Sequence, residues 1–433
     1  MGHSRGVTDT LTGPAPRRSL WRHRDFLLLW GGQAVSEIGS AITMLAVPLA
    51  AVLLLDAGTF QVGLLTAMST LPFLLVALPA GALVDRAAKH RLMMWCDVGR
   101  LLLLGSVPLA TLPGLRLTYP HLLVVALLTG VLTVFFDVAY QSYLPVLLDK
   151  EDLVDGNGKL GTTAAFAQFA GPALGGVLVG LLGAARSLIA DAATYAVSAV
   201  TLFLIRTPEP APHPAHGERR IRDDVKEGLH FVVKHPILRR IVACTGTGNL
   251  FNAMMLAVET PFMVRVLDLE PGGVGLVLTL GACGGIVGGL IARPLANRFG
   301  SARIIWLSPL VIGLPAFLAP LATPGWGVLL YAAGLAFFGM MAVVYNVAQV
   351  SYRQAITPHA LLGRMNASVR FIVWGTMPLG ALLGGLLGTW FGLRATVWIA
   401  VLGSYAAVAW VFFSPLRSLR DVPLAAEPTP DPV

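Results

Sequence analysis

Apolar residues run along this chain in long blocks, separated by short polar connections. Most blocks reach the roughly 20 residues that a helix needs to cross a bilayer. Twelve are predicted as membrane-spanning helices: 26–55, 60–84, 92–112, 122–148, 160–182, 187–205, 241–266, 274–295, 304–321, 327–350, 369–390 and 395–413. The first contains Glu37 and is far longer than the apolar stretch of a cleaved leader, so it reads as a membrane helix. The longest break is 207–236. It opens with a Pro- and His-rich stretch that reads as linker. Ile221, Val225, Leu229 and Val232 then recur at helical spacing among Asp223, Asp224, Lys226 and Glu227, which predicts an amphipathic helix on the inner membrane face. The expected organisation is an arm (1–24), a six-helix half (25–206), the linker (207–236), a second six-helix half (237–414) and a tail (415–433).

Composition supports an apolar solvent. Only 12% of the 433 residues are charged, 55% are hydrophobic, and the mean hydropathy is +0.73. A soluble domain carries about 25% charged residues. Disorder is excluded on the same ground. A disulfide scaffold is excluded because the three cysteines, Cys96, Cys244 and Cys283, all lie in apolar runs. The basic pI near 9.7 does not indicate nucleic acid, because the cations recur in short loops instead of forming one basic domain. With both termini cytoplasmic, 26 Lys and Arg residues fall on the inner side. Four fall outside (Arg116, Arg186, Arg265 and Arg394), and Arg100 lies within the third span. That asymmetry sets the orientation. The scarcity of Lys beside Arg points to a bacterial inner membrane. His213 and His216 stand among prolines and are read as linker, since a zinc site takes four ligands; no metal or other cofactor is expected.

The two halves repeat. Gly171-Pro-Ala-Leu-Gly-Gly176 recurs as Gly380-Ala-Leu-Leu-Gly-Gly385, and Asn157 as Asn366, each 209 positions on. Arg86 recurs as Arg298 after 212, and Arg186 as Arg394 after 208. A repeat of six spans places the halves in parallel, about an axis along the membrane normal, with a binding site between them near the midplane. The expected fold is therefore all-α, twelve transmembrane helices in two pseudo-symmetric six-helix halves.

Particular residues carry a family resemblance. Gly81-Ala-Leu-Val-Asp85-Arg86-Ala-Ala-Lys89-His-Arg91 resembles the loop signature of the major facilitator superfamily, with Ala88 where the family has Gly. Its second copy, Asn297-Arg298-Phe-Gly300, keeps the Gly and loses the Asp. The resemblance implies an inner gate at Gly81, Asp85, Arg86, Arg91 and Arg298. Gly171, Pro172, Gly175 and Gly176 are similar to the antiporter signature of exporters in that superfamily; plain small-residue packing is the alternative. Phe136-Asp137-Val-Ala-Tyr-Gln-Ser-Tyr-Leu-Pro145, Asp191-Ala-Ala-Thr-Tyr195-Ala-Val-Ser198 and Thr357-Pro358-His-Ala-Leu-Leu-Gly363-Arg364 resemble the macrolide, multidrug and siderophore exporter branch. The resemblance extends from about Leu20 to Leu416 and implies a monomer.

Ionisable groups inside a membrane are costly and mark function or internal pairing. At 1.5 Å per residue, Glu37 lies about 20 Å beyond Arg24, near mid-membrane. It ranks first as a proton-coupling carboxylate, with Asp137 second and a structural hydrogen-bonding role as the alternative. Asp97, Arg100 and Asp137 are expected to form a membrane ion pair. By the same depth count Glu259 and Asp191 lie near the outer interface. Gln33, Tyr140, Gln141, Asn249, Asn252 and Asn346 are candidate cavity residues, in a mostly apolar site suited to a lipophilic small molecule.

These features predict a secondary active transporter, a proton-driven exporter working by alternating access in the lipid bilayer. An importer of the same fold is the first alternative. A membrane enzyme is disfavoured, because no Gly-x-Ser-x-Gly, His-Glu-x-x-His or phosphate-cradling loop occurs.

Overall fold

The computed structural model describes residues 20–149, 152–209, 221–358 and 361–421. Residues 1–19 of the arm, His213, His216, Lys150 and the end of the tail lie outside the described residues, and so does the side chain of Asp85. The chain is an all-α bundle. Before the linker run α1 (Arg24–Leu54), α2 (Thr59–Leu75), α3 (Ala77–Asp85), α4 (Lys89–Leu109), α5 (Tyr119–Leu147), α6 (Leu153–Leu182) and α7 (Ala184–Phe203). The linker holds α8 (Ile221–Lys234). After it come α9 (Leu238–Arg265), α10 (Pro271–Phe299), α11 (Ile304–Leu307), α12 (Val328–Ile356), α13 (Leu362–Trp390), α14 (Leu393–Ala406) and α15 (Ala409–Phe412).

Among the described residues, ten helical segments are long and apolar enough to cross a membrane. Two predicted spans are not among them. The second is split at Val76, where Pro79 has no N–H to offer the Leu75 carbonyl, so α2 stops at 17 residues. The sixth, α7, has 20 residues but carries Arg186 and Asp191, which lower its hydropathy. The ninth predicted span qualifies yet is not a regular α-helix. Four α-helical residues give way to a π turn over Ser308–Ile312 and a 3-10 segment over Leu314–Leu321. Pro309, Pro315 and Pro320 remove three backbone donors from this stretch. Lipid supplies no replacement, so freed carbonyls need protein partners. Tyr405 Oη donates to Leu310 O at 3.1 Å and Arg394 Nη1 to Pro320 O at 2.6 Å.

Backbone conformation repeats between the halves. Among the described residues, the two non-glycine residues with positive φ, Asp56 (46°) and Asp268 (54°), are 212 positions apart, each in the loop after the first helix of its half. Gly183 (82°) and Gly392 (85°) are 209 apart, each opening the last helix. The missing glycine of the loop signature is also accounted for. Gly300 takes φ 103°, whereas Ala88 stays at φ −69°, so the first copy turns without the left-handed conformation that Gly300 uses.

The helices share one core at one end and separate at the other. Leu45, Leu49 and Val62 are buried together with Val258, Phe262, Val274 and Tyr331 in a single cluster that spans both halves. At the end bearing the linker the cores are distinct, one around Phe26, Met93 and Tyr143 and one around Ile241, Ile305 and Tyr352. Glycines hold the shared end closed. A Cβ on Gly63 of α2 would lie 2.7 Å from Gly385 Cα of α13, and one on Gly176 of α6 would lie 2.9 Å from Gly275 Cα of α10. Arg265 at the end of α9 reaches across to the α1–α2 loop, donating to Ala57 O at 2.8 Å and lying 3.4 Å from Asp56 Oδ1. The linker helix α8 is docked on the second half: Val232 is buried with Val242, Met365 and Val369, and Glu227 pairs with Arg364 at 2.7 Å.

Candidate transport site

Toward the linker end several polar residues well inside long helices are exposed, Gln141 of α5, Asn346 of α12 and Arg370 of α13 among them. Asn346 lies ten residues before the end of its helix, about 15 Å, a depth at which an exposed amide needs water beside it. Deeper on α1, Glu37 is half-buried and accepts from Gln33 Nε2 at 2.9 Å, while Gln33 Oε1 is buried without a partner. Asp137 of α5 makes no hydrogen bond with a described residue, and interacts electrostatically with Arg100, Glu37 and Arg370. Tyr140, one turn on, stacks on Phe136 at 6.2 Å and interacts with both carboxylates. Arg370 lies 5.1 Å over the Trp374 ring, and Trp374 meets Phe73 of α2 at 4.9 Å. The site therefore brings two carboxylates from the first half to face one arginine from the second.

The membrane ion pair is narrower than expected. Arg100 pairs with Asp97, one helical turn away, and both are buried. The Arg100 guanidinium lies between two rings, 4.4 Å from Phe136 of α5 and 4.3 Å from Tyr195 of α7. Asp137 stays within electrostatic reach of Arg100 and makes no ion-pair contact with it. Asp97 holds the arginine because the i, i+3 spacing on α4 is fixed by the helix itself.

Other predicted residues fall in different places. Asn249 faces α13, donating to Val373 O at 3.4 Å. Asn252 lines a cavity formed by helices of the second half. Gly171 and Gly175 pack on α1, against Ala41 and against Leu45 and Ile42, whereas Pro172 and Gly176 face α10 of the other half. Gly81 has nothing within 4 Å of its Cβ direction. Arg86, Arg91 and Arg298 are exposed at the linker end, without an ion pair to a described residue. Asp191 is fully buried between α7 and α1, accepting from Thr194 Oγ1 at 3.0 Å where Gly39 leaves room for it. Arg370 is one of the 26 cations counted as inner although the predicted span 369–390 includes it, and it stands in the third turn of α13. Its signal was the unbroken apolar run that continues from Phe371. No group of three or more His, Cys, Asp or Glu suited to a metal occurs among the described residues.

Comparison with known proteins decides the family. The model of the transmembrane secretion effector family matches residues 17–432. The chain belongs to this family, a branch of the major facilitator superfamily. It is 27% identical to the multidrug efflux pump Tap of Mycolicibacterium fortuitum, over 98% of this chain and all of the pump. It is 22% identical to macrolide efflux protein A of Streptococcus pyogenes, over 87% of this chain and 94% of that protein. Its fold is similar to a crystal structure of a bacterial homologue of the iron transporter ferroportin in an inward-facing state, with a TM-score of 0.73 at 15% identity, covering 91% of this chain and 99% of that one. The chain is thus a multi-pass membrane transporter related to efflux pumps.

Proposed function

We propose that this transmembrane secretion effector is a proton-coupled exporter of lipophilic small molecules, working by alternating access across the cytoplasmic membrane of a bacterium. The observation that carries the reading is the convergence of Glu37, Asp137 and Arg370 from both halves at the base of a space open toward the linker end. In this reading α2 with α3, and α7, complete the ten long helices to twelve, six in 25–206 and six in 237–414. The loop cations put the linker end and both termini in the cytoplasm. The conformation is then inward-facing, and substrate enters from the cytoplasm beside Tyr140, Gln141, Asn249 and Asn346.

A proton and a substrate share the carboxylates by mass action. Substrate binding between the halves favours rearrangement to the outward-open form, and protonation of Glu37 or Asp137 from outside favours the return. Arg370 supplies the counter-charge from the opposite half, so its distance from the carboxylates changes with the state. Asp85, Arg86, Arg91 and Arg298 close the cytoplasmic end in the outward-open form, where Gly81 gains the neighbours it lacks here. The functional unit is a monomer.

Reconstituted vesicles with an imposed pH gradient test this. Ethidium added to wild-type protein should draw down the gradient, and Glu37→Gln should abolish that proton movement while leaving ethidium binding within about threefold. Unchanged proton movement in Glu37→Gln would remove Glu37 from the coupling. Higher ethidium accumulation in cells making the wild-type protein would make the chain an importer.

A further inference from the structure

The second half contains a cavity of about 250 Å³, lined by α9, α10, the 3-10 segment, α12 and α14. It is separate from Glu37 and Asp137, which belong to the first half. Its wall is largely apolar, with Met255, Leu278, Phe338 and Val401 contributing the larger surfaces. The wall is held in place by close helix approaches: a Cβ on Gly281 would come 2.9 Å from Leu335 Cβ, and one on Gly334 would come 2.8 Å from Ala319 N.

Into this cavity α9 presents Glu259. No described residue forms an ion pair or hydrogen bond with its carboxylate. The ionisable group that interacts with it is Tyr331, whose hydroxyl is itself buried and unpaired. The nearby Arg394 is engaged elsewhere, with Pro320 O and the face of Phe262. An ionised carboxylate in apolar surroundings is stable only with a counter-charge. Here the protein supplies none, and leaves a space lined for an apolar body.

We infer that the Glu259 cavity is a binding subsite for a lipophilic cation, with the ligand's ammonium group at Glu259 and its apolar body extending along α9 toward Asn252. Seven residues separate the two polar positions, about 10 Å along one helix face. The volume is at the low end for a small-molecule pocket, so the site takes a compact amine or the amine-bearing arm of a larger molecule. The inference rests on the efflux reading for its role as a selectivity element, giving cationic substrates an anchor that neutral ones lack.

The test uses purified full-length protein and two ligands of one shape: phenethyltrimethylammonium, whose charge cannot be lost, and its neutral carbon isostere, (3,3-dimethylbutyl)benzene. Equilibrium binding of each is measured in detergent on wild type, Glu259→Gln and Ala282→Phe. Wild type should bind the cation more tightly than the isostere. Glu259→Gln should weaken the cation at least about tenfold and change the isostere by less than about twofold. Ala282→Phe fills the cavity with Glu259 intact and should weaken both, which keeps the test decisive where Glu259→Gln does not fold. Equal cation affinity in wild type and Glu259→Gln means that Glu259 holds a proton or nothing, and overturns the inference. So does unchanged binding in Ala282→Phe. Equilibrium binding needs no transport, so a chain that passes here and moves no substrate across vesicles refutes export alone.

Discussion

Arg100 is where burial, charge and helix packing meet, and its replacement separates a structural pair from a proton relay. Arg100→Met keeps the length and apolar stem of the side chain and removes the guanidinium. Three losses follow from the geometry. Asp97, with no solvent exposure, keeps its charge and loses its only ion-pair partner among the described residues. The faces of Phe136 and Tyr195 lose the cation between them, and α4 loses its polar tie to α5 and α7. Breaking a buried pair on one side costs about 3–5 kcal/mol, and each desolvated cation–π contact adds about 1–2 kcal/mol. The first term dominates, because it leaves an uncompensated charge. Should the first half melt as a unit, the first term alone lowers the midpoint by roughly 6–20 °C. Asp97→Asn with Arg100→Met removes both charges and leaves a neutral amide beside Ser198. That double variant should recover at least half of the loss, since replacing a whole buried pair is far cheaper than breaking it. Thermal unfolding in detergent, followed by tryptophan fluorescence, reads all three proteins. A double variant as unstable as the single one would refute the charge argument. Wild-type stability in Arg100→Met with loss of proton movement would make the pair a relay.

Two further outcomes follow from other parts of the bundle. Gly176→Leu puts a side chain where even a Cβ meets Pro271 O and Gly275 Cα at 2.9 Å, so α6 and α10 cannot close. Spin labels at the outer ends of α6 and α10 should move apart by several ångströms while those on the linker end approach; an unchanged distance distribution would exclude this contact as the closing surface. His235 caps α9, its Nδ1 accepting from Leu238 N at 3.2 Å, and burial holds its imidazole below the ordinary value of 6.5. The fold thus favours the neutral ring, so the cap is fully present above about pH 6.5 and is lost as pH falls through the lower folded value. Protection of the Leu238 amide, taken relative to its intrinsic exchange rate, should fall between pH 7 and pH 5, and His235→Asn should flatten that dependence.

How far the sequence could be read depended on the range of the physics involved. Span positions follow from hydropathy, a property of each segment alone, so the long helices were legible. Hydropathy does not specify backbone geometry. The 304–321 stretch is apolar enough to cross, yet its prolines give π and 3-10 turns, which hold only because Tyr405 and Arg394 come from a later helix to satisfy Leu310 O and Pro320 O. The repeat was legible from Gly176 and Gly385, whose shared role was not. They are equivalent positions, and each packs on the second spanning segment of the opposite half, Gly176 on α10 and Gly385 on α2.

The candidate site divides in the same way. Glu37 could be ranked because depth is counted along one helix. Asn249 and Asn252 could not be told apart, being three residues apart on one helix; their fates differ because α13 covers one and the cavity opens beside the other. Arg370 was counted as inner because a cation in the early turns of a helix looks like a loop cation until the opposite half puts Asp137 within its field. The same reasoning locates where selectivity resides. Positions that depend on one helix, such as the Asp97–Arg100 pair, stabilise the half whatever its neighbours do. Positions that need both halves, Arg370 with Asp137 and Gly176 with Gly275, are the ones that change in the proposed cycle, which assigns coupling and gating to them. Glu259 belongs to neither class: its cavity is lined by five elements of the second half alone, so in the proposed cycle it stands apart from the contacts that change.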